Sequence, residues 1–373
     1  MDILIASDVI ARGGVDRYVG ALAIFAEEQG HRVTVALEHG VGPIAAKLAE
    51  VGITVRQCPL YHRRHDADVL SSEAHALITT VRPHLLHVAA GIPWSCLPLR
   101  EVAHDFGVSQ VVCEQYVPDT LELAPDAASR IQSLYRQAKV VIFVSNHNRE
   151  IMSRHVDMTY VRTAVIHNAV DAVVLGRTAM DPDVRAKRLR DRARSGQVRL
   201  FAAGRYDVQK GFDVLLEACS LLRDRGRSFR LTIFGEGPLG TALADQVTTH
   251  ALEAVVTLAP WHDNLPAAAA DHEAFVLPSR FEGMSYVLLE MMACGIPIIA
   301  TDVPSSVFAL NGGRAGLLVA REDPKALAQA LDEVVSGSVD LLPLFQHARH
   351  RVVEQFDEQR QGSDTIGWWE QQS

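Results

Sequence analysis

Short apolar runs alternate with longer helical segments along the first 170 residues. Asp2–Ser7, with its apolar run at residues 3–6, predicts a buried strand, and residues 15–29 carry Tyr18, Leu22 and Phe25 at helical spacing. Gly30-His31 ends that helix and residues 33–37 begin another strand. Further strands are predicted at 53–56, 85–88, 110–113 and 140–144, with helical stretches such as 121–138 between them. Such alternation predicts a doubly wound, mostly parallel sheet. It lapses after Ile166-His167-Asn168-Ala169-Val170-Asp171, because residues 172–198 are rich in Ala, Asp and Arg and hold no strand-like run. It resumes with strands at 199–203, 230–234 and 255–258 and an amphipathic helix at 213–223.

The stretch from Pro278 to Thr301 repeats this unit most compactly. An apolar strand, Ala274–Leu277, leads through Pro278 and Gly283 into a helix near Ser285, which stops at Gly295-Ile296-Pro297 before a second buried strand. Glu282 lies in the loop and Glu290 eight positions on, inside the helix. Open α/β sheets bind ligands beyond the carboxyl ends of their strands, at helix N-termini, so this stretch is the candidate active site. The turn Ala11-Arg12-Gly13-Gly14-Val15 places two glycines before the first helix, where backbone amides can approach a phosphate. Roughly the last forty residues lean helical and end near Trp368-Trp369, a pair expected to anchor the tail on another surface.

Length and charge narrow the class. A chain of 373 residues exceeds one ordinary core, so two domains are expected. The expected boundaries are an N-terminal domain 1–170, a linker 171–197, a second domain 198–354 and a terminal helix 355–373 packing on the first. Hydrophobic content of 48% and charged content of 22% are those of a soluble globular protein. No apolar run approaches the ~18 residues of a membrane span, and no secretory leader is recognisable. Five scattered cysteines without Cys-x-x-Cys fit a reduced, cytoplasmic setting. A net charge of −9 argues against nucleic acid as a partner. Seven cations between Arg185 and Arg199 are read as a solvated linker helix, in preference to a membrane-surface helix.

Several motifs together resemble the retaining GT-B glycosyltransferases of family 4. They are Glu282-x7-Glu290 in its Pro-Ser-x-x-Glu-Gly frame, Gly204-Arg205 followed by Lys210-Gly211, Phe234-Gly235-Glu236-Gly237-Pro238, Asn168-Ala169-Val170-Asp171, and Gly13-Gly14. They cover both halves in the family's order. The resemblance implies two Rossmann-like domains facing across a cleft, and a C-terminal helix that crosses back to the first domain. It implies transfer of a hexose-type sugar from a nucleoside diphosphate, UDP favoured, to a hydroxyl acceptor.

That chemistry needs fixed positive charge where the diphosphate leaves. Arg205 and Lys210 follow the first strand of the second domain and are assigned to the diphosphate through charge-assisted hydrogen bonds. Backbone amides of Gly283, Met284 and Ser285 add donors at a helix N-terminus. On the family's pattern Glu282 faces the donor sugar and Glu290 the ribose hydroxyls, since a carboxylate accepts from both members of a diol. No metal or other cofactor is expected. Asp66-x-Asp68 and Asp181-x-Asp183 have metal-transferase spacing but stand in polar, loop-like surroundings, and His62, Arg63, Arg64 and His65 lack zinc spacing and read as a solvated loop.

The acceptor side is less defined. Where many relatives carry a histidine, this chain has Glu114-Gln115, so Glu114 either serves as a base or binds a cationic acceptor, or is a strand-end carboxylate capping the next segment. Trp261 either stacks on the nucleotide base or packs in the core. The acceptor is a small molecule or a glycan, with membrane-surface association not favoured. Two rivals share the fold: a sugar-nucleotide epimerase, and a non-catalytic sugar-nucleotide-binding protein.

Overall fold

The computed structural model describes residues 1–10, 13–40, 44–177, 179–262 and 264–371. Ala11 and Arg12 of the glycine turn lie outside them. The chain divides into two compact units, Met1–Asn168 with Glu358–Ser373, and Ala169–Asp357.

The first unit is built on seven parallel strands: β1 (Asp2–Ser7), β2 (Arg32–Leu37), β3 (Thr54–Gln57), β4 (Leu85–Ala90), β5 (Ser109–Glu114), β6 (Val140–Phe143) and β7 (Thr163–Val165). Their order is β3-β2-β1-β4-β5-β6-β7. β1 pairs with β2 on one side and β4 on the other, Ile3 opposite both Val33 and Leu85, so the topological switch lies at β1. Leu4, Leu86, Val88 and Val141 form the centre of its core because these strands are covered on both faces. β7 has no counterpart in the apolar pattern. It is a three-residue strand at the sheet's end, paired with β6 and only half-buried, so no long apolar run marks it.

The helix Glu358–Glu370 belongs to this unit. Gly362 lets it close on the helix Gly14–Glu28, since an added Cβ would stand 2.7 Å from atoms of the Phe25 ring. Trp369 is buried, and its indole N–H donates to His87 Nδ1 at 3.1 Å. Indole only donates, so Nδ1 is unprotonated and His87 Nε2 carries the hydrogen facing the Tyr18 hydroxyl at 3.0 Å. Burial pushes the His87 pKa down to about 3. The tail is thus pinned by one tryptophan, while Trp368 is half-buried.

The second unit holds six parallel strands: β8 (Val198–Ala203), β9 (Phe229–Phe234), β10 (Val256–Ala259), β11 (Ala274–Leu277), β12 (Ile298–Thr301) and β13 (Leu317–Val319). Their order, β10-β9-β8-β11-β12-β13, puts the switch between β8 and β11. Phe201 and Phe275 lie opposite across that junction with ring centroids 5.1 Å apart.

The segment expected to be a solvated linker is integral to this unit. It forms the helices Ala172–Arg177 and Pro182–Ser195, and Ala186 and Leu189 of the latter enter the core. At least three of the seven cations between Arg185 and Arg199 have partners in the body of this unit. Arg185 is buried and donates to the carbonyls of Ala269 and His272, while Arg188 and Arg199 converge on the buried Glu273. A charge run reads as solvated only while its partners, here more than seventy residues away, are unknown. Among the described residues no helix is long and apolar enough to cross a membrane.

Candidate active site

The switch point of the second unit gathers the loops that follow β8 and β11. After β8 the chain makes a short 3-10 turn, Val208–Lys210, and enters the helix Phe212–Asp224. Two glycines shape this turn. Gly204 leaves room for the Lys210 chain, whose Cγ, Cδ and Cε would lie 3.2–3.3 Å from an added Cβ. Gly211 has φ +62°, and a Cβ there would fall on the carbonyl oxygen of Pro278. Only glycine permits both the left-handed backbone and that approach.

The β11 loop supplies the counter-charge. Glu282 is 7% exposed, and its Oε1 lies 2.6 Å from Lys210 Nζ. The Ser279 hydroxyl donates to the same oxygen at 2.7 Å, and Ser305 Oγ donates to the Glu282 carbonyl at 3.2 Å. An acid and a base seventy-two positions apart therefore meet with their side chains only 6% and 17% exposed. Low exposure strengthens that electrostatic contact relative to one in water.

Ser285 caps the helix Tyr286–Ala293, its Oγ accepting from the Leu288 amide at 3.4 Å. Gly283, Met284 and Ser285 are all buried at this helix start. Glu290 is buried on the helix and is not a solvated surface acid.

Arg205 is placed differently. Its side chain is 52% exposed and its nearest acid is Asp207, Nε to Oδ2 at 3.8 Å. The absence of a Cβ at Gly237 accommodates it, since that atom would stand 3.1 Å from Arg205 Cγ. The structure brings Lys210 and Glu282 together but leaves Arg205 at the surface beside Asp207. Trp261 is half-buried after β10. The neighbouring buried aromatic is Tyr206, whose hydroxyl lies 2.8 Å from the Ile233 carbonyl and 3.0 Å from that of Ala259. It ties the ends of β9 and β10 to the β8 loop.

This loop architecture lies within residues 197–336, which match the family model described as glycosyl transferases group 1, and residues 12–173 match glycosyltransferase family 4. The chain belongs to this glycosyltransferase family. A putative colanic acid biosynthesis glycosyltransferase, WcaL of Escherichia coli K12, is 32% identical over 170 residues, 43% of this chain and 42% of that protein. A GDP-mannose-dependent phosphatidylinositol monomannoside mannosyltransferase of Mycolicibacterium smegmatis is 27% identical over 251 residues, 65% of this chain and 64% of that protein. The chain thus spans less than two thirds of either relative's length. In fold it resembles Anabaena Alr3699/HepE, solved with UDP and glucose, at TM-score 0.83 and 17% identity over 100% of both chains. Two Rossmann-like units make this a GT-B glycosyltransferase fold.

In this family 4 chain the acceptor-side candidate Glu114 has an enclosed carboxyl. It is 0% exposed at the end of β5, and the Tyr135 hydroxyl donates to its Oε1 at 2.5 Å. Burial raises its pKa to about 7, against the opposing charge of the nearby Arg100. Its partner Tyr135 lies inside the helix Pro125–Gln137, so the carboxylate is held by a side chain and not by capping the next segment, and a group so enclosed does not meet a ligand in this conformation. Gly13 is exposed, with extended φ of 171° and nothing within 4 Å of an added Cβ.

The histidine loop is solvated as expected except at His65. His62, Arg63 and Arg64 are exposed, but His65 Nε2 lies 2.8 Å from Glu38 Oε1. Glu38 is buried and its other oxygen accepts from the Leu60 and Tyr61 amides at 2.7 Å each. Asp181 caps its helix through the Asp183 and Val184 amides, which accounts for one Asp-x-Asp pair. Among the described residues no group of three His, Cys, Asp or Glu side chains is arranged to hold a metal ion.

Sequence reasoning passed over Arg280. It occupies a variable position of the Pro-Ser-x-x-Glu-Gly frame, yet it makes paired hydrogen bonds to Asp213, Nη1 to Oδ1 at 2.8 Å and Nη2 to Oδ2 at 2.7 Å. The Asp213 hydrogen bonds hold the guanidinium above its ordinary pKa. Burial pushes the Asp213 carboxyl up, but Arg280 outweighs it and the net shift is downward. Opposite charges within two motif segments, Lys210-Gly211-Phe212-Asp213 and Pro278-Ser279-Arg280, were the available signal.

Proposed function

We propose that this protein is a retaining glycosyltransferase that moves a hexose from a nucleoside diphosphate sugar to a hydroxyl acceptor. The observation that carries the reading is the Lys210–Glu282 contact of 2.6 Å at the switch point, within a segment matched by group 1 glycosyl transferases. In the free protein each charge satisfies the other. With donor bound, Lys210 turns to the diphosphate, where negative charge grows as the glycosidic bond breaks. Glu282 then accepts hydrogen bonds from the sugar hydroxyls, and Glu290 takes the ribose diol. Amides at the start of the helix Tyr286–Ala293 assist, contributing on the order of 0.3–1 kcal/mol through the helix dipole.

The acceptor hydroxyl attacks on the face from which the diphosphate departs, and a donor phosphate oxygen takes its proton. This route requires no protein base, consistent with the enclosure of Glu114. The cationic pair supplies the leaving-group charge, so the reaction proceeds without a metal. UDP is the first nucleotide to try because Anabaena HepE was solved with it; GDP follows because the Mycolicibacterium relative is GDP-mannose-dependent.

The test is direct. The protein is incubated with UDP-, GDP-, ADP- and dTDP-hexoses and a panel of sugar and small-molecule hydroxyl acceptors, with and without EDTA. Nucleoside diphosphate release is measured and the product anomer assigned by NMR. Acceptor-dependent release with retained configuration, unchanged by EDTA, is expected. Conversion of donor alone into its epimer would replace transfer with epimerisation, and binding without turnover would leave only a sugar-nucleotide-binding protein.

A further inference from the structure

We infer that Arg280 is a positioning residue for the Lys210–Glu282 pair, setting the register between the β8 and β11 loops without itself binding the donor. The inference rests on the glycosyltransfer reading for its kinetic consequence and on geometry alone for the rest. A guanidinium has five N–H donors. Four are already engaged: Nη1 to the Val208 carbonyl at 2.8 Å and to Asp213 Oδ1, Nη2 to Asp213 Oδ2, and Nε to Glu322 Oε1 at 3.1 Å.

Those partners lie on three separate segments. Val208 belongs to the turn that carries Lys210, Asp213 to the first turn of the following helix, and Glu322 to the loop after β13. The backbone joins the same seam. Arg280 N donates to the Gln209 carbonyl at 2.8 Å, Gln209 Nε2 returns to the Phe281 carbonyl at 3.1 Å, and Arg321 Nη1 donates to the Arg280 carbonyl at 3.3 Å. Residue 209 immediately precedes Lys210, and residue 281 immediately precedes Glu282. The seam therefore ends on both members of the pair.

A planar fork holding a carboxylate at two points fixes orientation as well as distance, which a lysine ammonium cannot reproduce. This separates positioning from simple charge. If Arg280 acted by presenting positive charge to a diphosphate, Arg280→Lys would retain most activity. If it sets register, Lys fails much as Ala does, and Asp213→Asn shows the same defect without touching Arg280.

The experiment uses the full chain and its Arg280→Ala, Arg280→Lys, Asp213→Asn and Arg280→Ala/Asp213→Asn variants. Two readouts are taken on folded protein. One is the rate at which Lys210 is acetylated by acetic anhydride, followed by mass spectrometry without donor. The other is kcat and KM for nucleoside diphosphate release from the best donor. Lys210 is expected to label faster in every variant. The kcat is expected to fall about 100-fold, the scale of a 1 Å misplacement, with the double variant no worse than Arg280→Ala. A merely structural role would lower thermal stability and leave both readouts of the folded fraction unchanged. That result, or rescue by Arg280→Lys, overturns the inference. Should Arg280→Ala fail to fold, Asp213→Asn decides the point. Should the wild type turn over no donor, the transferase reading fails while the acetylation rates still decide the role of Arg280.

Discussion

Lys210 Nζ and Glu282 Oε1 stand 2.6 Å apart, although seventy-two residues separate them in the chain. The contact joins the cation assigned to the leaving group with the carboxylate assigned to the sugar. Lys210→Met removes the cation while retaining an unbranched apolar stem. It is expected to lower kcat by about 10²–10³, as loss of one pre-organised transition-state donor does. Circular dichroism should remain that of the native protein. Transfer at the wild-type rate in folded Lys210→Met would sink the assignment.

Glu273 organises the basic helix in the same unit. Its Oε1 accepts from Arg188 Nε at 2.8 Å and from Arg199 Nη2 at 3.3 Å, and its Oε2 accepts from the Arg199 amide at 2.7 Å. Removing one partner of a buried pair strands the other charges, a cost of about 3–5 kcal/mol when all are dry; the partial exposure of the arginines brings this to roughly 2 kcal/mol. Glu273→Ala should therefore unfold at lower urea, while Glu273→Gln, whose amide oxygen still accepts, loses less. Turnover per folded molecule is expected to stay unchanged in both. Equal urea midpoints for Glu273→Ala and wild type would show that the arginines find other partners at no cost.

What was legible in the sequence follows from what each pattern can encode. Strands buried on both faces, such as β1, β11 and β12, appear as unbroken apolar runs and are found directly. β7 is short and half-buried, so it carries no such signal. Lys210 and Glu282 could be nominated from their motif frames, but their contact is a product of the fold. The partners of Arg185, Arg188 and Arg280 lie 42 to 87 positions away. Side-chain pairing at that range leaves no periodic trace, which is why a packed helix read as a solvated linker and Arg280 was passed over.

Glu114 gives the first unit a distinctive pH dependence. Burial raises its pKa from an ordinary 4.5 to about 7, while Arg100 and the Tyr135 hydrogen bond act in the opposite sense and Asp8 in the same sense. Between those values the native state holds a proton that the unfolded chain has released. Its contribution to stability is therefore fully present below pH ~4.5 and is lost as pH rises to ~7, levelling off above, by roughly 3 kcal/mol in all. Glu114→Gln keeps an acceptor for Tyr135 and removes the titration. Urea unfolding of both proteins at pH 5 and pH 8 isolates the effect, since the other titrating groups are shared. The variant should gain on wild type as pH rises; parallel pH profiles would contradict a buried, proton-holding Glu114.

Gly211 and Gly13 make opposite predictions from the same substitution. At Gly211 the backbone is left-handed, φ +62°, and an added Cβ would meet the Pro278 carbonyl. Alanine there costs on the order of 1–2 kcal/mol for its backbone alone. Relieving the contact parts the loops carrying Lys210 and Glu282, so turnover is expected to fall about 100-fold, the scale set by a 1 Å error at a reacting centre. Gly13 is extended and open, with nothing within 4 Å of an added Cβ, so Gly13→Ala should leave the thermal midpoint unchanged. If its backbone approaches the donor's phosphates, that same methyl group stands in the way, and KM for the donor rises while the fold is untouched. Thermal melting and donor titration on the two variants separate a glycine needed for the protein's own packing from one needed only for a ligand. An unchanged KM in Gly13→Ala would remove Gly13 from the donor site.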